Sequence, residues 1–228
     1  LDREETTRLM GFATLKFNSI AAQMSRGRTE RSLSFAMASL AGTLNKLAAD
    51  CCLFSGPDYG FMEFPDALTT GSSIMPHKKN PDVWELIRAR CNSIQGLPNQ
   101  ITLVSTNLTH GYHRDYQLLK DLLFPAIDSL MDCMGMTILM MSNLQVNGSI
   151  LQDSRYDQLF SVETVNHLVM NGVPFRDAYL QVASSLSDGT FIPEKDIHHT
   201  HTGSTGNLAN EKIREKMALA LSRILDPK

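Results

Sequence analysis

Three stretches of this sequence repeat apolar side chains at alternating steps of four and three residues, and this pattern constrains the fold more than any other feature. The first series is Leu33, Met37, Leu40, Leu44, Leu47, Cys51 and Phe54. The second is Val83, Ile87, Arg90, Ile94, Leu97, Ile101 and Val104. The third is Leu119, Leu123, Ala126, Leu130, Cys133, Thr137, Met140 and Leu144. A mean step of about 3.5 keeps one stripe on one side of a helix, so the spacing predicts long helices packed nearly parallel or antiparallel. Helices of ~25 to 33 residues would run roughly 37 to 50 Å at 1.5 Å per residue. A chain of 228 residues cannot cover such helices on every side. Several copies are therefore expected to pool their helices in one bundle. No segment alternates at period two with β-branched enrichment, so the expected fold class is all-α.

Local signals divide the chain. Residues 1–30 read as an interrupted helical region, broken at Asn18-Ser19 and around Ser25-Arg26-Gly27-Arg28-Thr29, with Arg26 and Arg28 most simply solvated charges and binding of an anionic ligand as the alternative. Gly56-Pro57 ends the first long helix, which starts at Arg31. Residues 56–80 lack a steady period, and a loop of that length inside a compact domain is usually functional or mobile. Pro98 should kink the second helix, and Pro125 should bend the third, which begins near Tyr116. Arg90 falls on a seam, where a charge would need a partner. The Met-rich stretch from Met131 to Met141 reads as adaptable packing against another subunit. Asn147-Gly148 marks the expected boundary between a bundle domain, 1–148, and a small helical C-terminal domain, 149–228. In the latter, helices are expected at about 153–171, 174–187 and 207–226, the first two separated by the stop at Asn171-Gly172-Val173-Pro174.

Composition excludes several classes. The formal net charge is -3, which favours neither nucleic acid nor an anionic membrane surface. No uninterrupted apolar run approaches the ~18 residues needed to span a bilayer. Cys51, Cys52, Cys91 and Cys133 show no CxxC spacing and sit in apolar helical patterns, as expected for buried free thiols in a reducing cytoplasm. His198, His199 and His201 lack a carboxylate or cysteine at ligand spacing, so they read as a solvated loop rather than a metal site. The start, Leu1-Asp2-Arg3-Glu4-Glu5, is neither an initiator methionine nor a signal peptide, as expected for an internal piece of a longer protein.

The chemistry concentrates in Gly71-Ser72-Ser73-Ile74-Met75-Pro76-His77-Lys78-Lys79-Asn80-Pro81. Hydroxyls, fixed cations and a helix start lie within a few residues of one another, a combination suited to holding a carboxylate and stabilising developing negative charge. A purely structural reading also exists, with Asn80 as N-cap, Pro81 as first helical residue, and Asp82 and Glu85 as first-turn acids. It accounts for residues 80–85 but not for the serines or the lysine pair.

This stretch resembles the GSSxMPxKxNP segment of the fumarase, aspartase, argininosuccinate lyase and adenylosuccinate lyase superfamily. Three further segments resemble the argininosuccinate lyase family in particular. Lys78-Lys79-Asn80-Pro81-Asp82 with Glu85-Leu86-Ile87-Arg88 is similar to its KKNPDxxELIR. Tyr112-His113-Arg114-Asp115-Tyr116-Gln117-Leu118-Leu119-Lys120 is similar to its YNKDLQEDK. Gly172-Val173-Pro174-Phe175-Arg176-Asp177-Ala178-Tyr179 is similar to its GMPFRxAH. Beyond these three, Asn18-Ser19 followed by Arg26 also resembles its NSxxxxxxR. The sequence departs from the family at His77, Arg114, Tyr179 and Leu118-Leu119.

The resemblance implies β-elimination of argininosuccinate to arginine and fumarate, in arginine biosynthesis, without a metal or other cofactor. It implies Ser72 as the base and Lys78 as the cation beside it. It assigns Ser73, Asn80, Tyr112, Gln117 and Lys120 to substrate binding. It also implies a homotetramer whose sites are shared by three subunits, with the acid/base histidine upstream of Leu1, so that these 228 residues alone would be inactive. A sibling lyase acting on adenylosuccinate, aspartate or malate is the nearest alternative. A crystallin-like structural protein on the same scaffold is a second.

Overall fold

The computed structural model of the chain describes residues 1–197 and 199–225. Among these the architecture is all-α. The described chain separates into two compact units, Leu1–Gly148 and Ser149 onward.

In the first unit two short helices, α1 (Arg3–Leu9) and α2 (Ser19–Met24), precede three long runs. Asp2 caps α1 by accepting from the Glu5 N–H, and Asn18 caps α2 by accepting from Ile20 and Ala21. Helix α3 covers Arg28–Phe54. The second run is divided at Gly96 into α4 (Asp82–Gln95) and α5 (Leu97–Val104), so Pro98 sits in a helix start rather than at a simple kink. Helix α6 (Leu118–Ser142) follows a 3-10 turn at Arg114–Gln117 and passes through Pro125 without a break. Two-residue strands β1 (Met62–Glu63) and β2 (Gln145–Val146) pair antiparallel, a small ribbon that the search for alternating segments does not detect.

Burial refines the seams. In α6 the expected set holds, with Leu119, Leu123, Leu130, Cys133, Thr137 and Met140 buried. In α3 it holds only in part: Met37 and Cys51 are buried, but Leu33 and Leu40 are exposed. Ser34, Ala41 and Ala48 fill the seam instead, at steps of seven. Small side chains there let α4 and α5 approach closely, which pushes the leucines to the flank. In α4 the seam position expected at Arg90 is taken by Cys91, and Trp84 is fully buried against Phe64. Arg90 is an exposed residue paired with Asp132 of α6 at 3.3 Å, not a buried charge. Asn45 ties α3 to α4 by donating to the Arg88 carbonyl at 3.0 Å and to Asn92 Oδ1 at 2.7 Å.

A second apolar stripe on α6 is left uncovered. Phe124, Met131 and Ile138, again seven apart, are 56%, 62% and 66% exposed. By length and composition the helical stretch Arg114–Ser142 could cross a bilayer, which the run-length reading passed over. Its other face carries the α6 seam residues into the core of the first unit.

The second unit contains α7 (Ser161–Met170), α8 (Phe175–Ser187) and α9 (Asn210–Leu225). The expected helix from 153 is a 3-10 segment over Ser154–Phe160 before α7 begins. Val165, Ala178 and Val182 form its small core. His198 lies outside the described residues. His199 is not simply solvated, since its ring lies 3.1 Å from a Glu163 carboxylate oxygen.

Candidate functional site

The serine-bearing segment is a closed loop. At its base Thr70 and Asn80 pair as an antiparallel bridge, with Asn80 N–H donating to Thr70 O at 2.8 Å and Thr70 N–H to Asn80 O at 3.2 Å. The Thr70 hydroxyl donates to the Asp82 carboxylate. The Asn80 side chain reaches back to the Gly71 carbonyl at 3.4 Å. Asn80 therefore does not cap α4; Pro81 occupies that position without a side-chain bond. The capping reading is corrected on that point, although Asp82 and Glu85 do stand in the first turn.

Within the loop, Ser72 is half-buried and its hydroxyl oxygen accepts from two backbone amides, Ile74 N–H at 3.2 Å and Met75 N–H at 3.1 Å. Lys78 N–H donates to the Met75 carbonyl at 3.0 Å, which turns the chain before the lysines. Ser73 and Lys78 are exposed, and Asn80 is half-buried. Lys79 pairs with Asp66 at 2.6 Å, and this carboxylate raises the lysine's pKa. A cavity of about 650 Å³ opens beside the loop, lined by Met62, Phe64, Thr69, Met75, His77 and Lys78 among others. The loop thus holds a hydroxyl against two N–H dipoles and places the exposed Lys78 ammonium at the cavity's edge.

Tyr112, Gln117 and Lys120 form a separate group. Gln117 Nε2 donates to the Tyr112 hydroxyl at 3.0 Å. The Arg26 guanidinium stands 5.2 Å from the ring centres of both Tyr112 and Tyr116. The Gln117 hydrogen bond and then Arg26 push the Tyr112 phenol below its ordinary pKa. Lys120 is exposed in the first turn of α6. Arg26, taken from the sequence as a solvated charge, is half-buried here; a lone arginine before a glycine carried no signal of the ring contact.

The two groups are at opposite ends of the bundle. Ser72 lies before α4, beside the C-terminal end of α3. Tyr112 lies after α5, beside the N-terminal end of α3, where Gly27 meets Ser105 and Tyr116. The length of α4 and α5 separates them, about 30 Å at 1.5 Å per residue. Among the described residues no group of three or more His, Cys, Asp or Glu side chains could hold a metal ion.

A family model described as "Lyase" matches residues 2–96. The argininosuccinate lyase of Parabacteroides distasonis is 55% identical over 217 residues, covering 95% of this chain and 49% of the relative. That of Thermotoga neapolitana is 38% identical over 183 residues, covering 80% of this chain and 46% of the relative. The chain spans about half the length of the curated relatives it matches. Among solved structures, EDDS lyase in complex with formate superposes with a TM-score of 0.69 at 24% identity, covering 83% of this chain and 38% of that one. At that identity the likeness concerns the fold alone.

Proposed function

We propose that this chain, which is similar to argininosuccinate lyases over nearly its whole length, supplies the base and part of the substrate site of an enzyme that eliminates fumarate from argininosuccinate, releasing arginine. The carrying observation is the Ser72 oxygen aimed at by two backbone N–H groups. Those dipoles favour the anionic hydroxyl, the form able to take a proton. Once its own proton has passed to the group that later protonates the leaving nitrogen, the Ser72 alkoxide removes the proton on the carbon beside a succinyl carboxylate and becomes a hydroxyl. The electron pair left on carbon spreads into that carboxylate as an aci-carboxylate, which Lys78 and the Ser73 and Asn80 donors stabilise. The pair then forms the carbon–carbon double bond as the carbon–nitrogen bond breaks. The departing nitrogen takes a proton from an acid in the part of the relatives' length that this chain does not match.

Tyr112, Gln117 and Lys120 bind substrate at a site completed by other copies. The separation of the two groups supports that reading, because no single copy brings Tyr112 to Ser72. The exposed Phe124, Met131 and Ile138 stripe supports helix pooling, with a homotetramer as the assembly. Four cysteines without disulfides support a cytoplasmic location.

The test is fumarate release, followed by ultraviolet absorbance, in the protein extended to the length of its relatives. Turnover of argininosuccinate but not adenylosuccinate is expected. The reverse preference assigns the loop to the sibling reaction, and no turnover of either refutes the proposal.

A further inference from the structure

Tyr112 has little to hold it. It stands in the polar connection between α5 and α6, and it is 55% exposed. Tyr116, one helical turn on, is 7% exposed and belongs to the core of the first unit. Arg26 stands between these two unlike rings, its guanidinium centre 5.2 Å from each ring centroid. Both distances lie within the range in which a cation is attracted to a ring face. The backbone is shaped to put it there. Gly27 has φ +77°, and a Cβ on it would stand 3.0 Å from Ser105 Cβ and 3.5 Å from Tyr116 Cε1. A glycine is thus required for α3 to start this close to Ser105 and Tyr116. Gln117 fixes the hydroxyl end of Tyr112, while Arg26 meets its ring face.

We propose that Arg26 is a positioning residue that couples Tyr112 to the buried Tyr116 and so holds Tyr112 in the orientation in which it meets the substrate. This rests on the reading above that Tyr112 contacts argininosuccinate. Without Arg26 the phenol must be ordered by the ligand at the moment of binding, and that cost falls on affinity. The proton abstraction at Ser72 is untouched. The Tyr112 pKa is lowered first by the Gln117 hydrogen bond and then by the Arg26 guanidinium beside the phenol.

The experiment uses Arg26→Met, Arg26→Lys, Tyr112→Phe, Tyr112→Leu and the Arg26→Met/Tyr112→Leu double variant in the protein extended to the length of its relatives. Arg26→Met should raise KM for argininosuccinate about tenfold, within the few-fold to roughly thirtyfold that a ring–cation contact supports, with kcat within about twofold. Arg26→Lys, which keeps the cation, should recover most of that loss. In the Tyr112→Leu background, where the ring that the cation meets is gone, Arg26→Met should change KM by less than about threefold. Independently of turnover, tyrosinate absorbance corrected with Tyr112→Phe should show Tyr112 ionising at higher pH in Arg26→Met. An unshifted Tyr112 titration, or an equal KM effect in both backgrounds, overturns the role of Arg26 while leaving the lyase reading intact. Absence of argininosuccinate turnover in the unsubstituted protein overturns the substrate reading, and the titration then decides the Arg26–Tyr112 coupling alone.

Discussion

The Met75 N–H donates to Ser72 Oγ at 3.1 Å. With the Ile74 N–H at 3.2 Å, the hydroxyl oxygen faces two donors fixed in the backbone. Donors placed this way favour negative charge on the oxygen, because they are oriented before any proton moves.

Ser72→Ala should lower fumarate release by between about a hundredfold and ten-thousandfold, the range for losing a positioned base. The side chain belongs to a loop outside the helical core, so far-UV circular dichroism and the urea midpoint should stay at the parent values. Retained turnover would assign the base elsewhere.

Ala48 is fully buried in the α3 seam, where a larger side chain has no space. Ala48→Leu should destabilise the first unit by about 1–3 kcal/mol, read as a fall in the urea midpoint. An unchanged midpoint would show that α3 and α4 can move apart at no cost.

Burial pushes the Cys51 thiol up to about 11 and the Cys91 thiol up to about 12, against 9.0 for an ordinary thiol. The folded state therefore holds these protons in a range where the unfolded chain releases them. Stability should be unaffected below about pH 8 and fall as pH rises through 9 toward 11 and 12. Cys91→Ala, despite a lower midpoint at neutral pH, should show a shallower alkaline decline. Urea titrations at neutral and alkaline pH check the slope.

Met131 is at the centre of the uncovered stripe on α6. Met131→Lys should lower the sedimentation mass of the assembled protein and its activity together, while the helicity of each chain persists. An unchanged mass would place the assembly surface on another face.

The fold was legible where side-chain size and position agreed. In α6 the seam positions are apolar or small and the structure buries six of the eight expected residues, leaving Ala126 and Leu144 half-buried. In α3 the 4-3 rule attached to leucines, but a close helix contact selects the smaller residues one position away, Ser34, Ala41 and Ala48. Apolar periodicity does not weigh size, so that inversion was invisible. Arg90 matches the seam step, but the adjacent Cys91 carries the burial and Arg90 is the partnered charge between α4 and α6, joined to Asp132. In the loop, residue types pointed to anion chemistry, but the amides that face Ser72 are backbone groups and have no letter in a sequence. The Arg26 contact was equally silent, because it depends on a left-handed glycine and on a loop some eighty residues away.

The placement of Ser72 and Tyr112 at opposite ends of one bundle has a genetic consequence. A Ser72→Ala chain keeps an intact tyrosine end, and a Tyr112→Phe chain keeps an intact serine end. If neighbouring copies contribute different ends, a mixture of the two crippled chains assembles some centres wholly from undamaged parts. Two defective alleles expressed together would then restore one another, which neither could do as a homogeneous population.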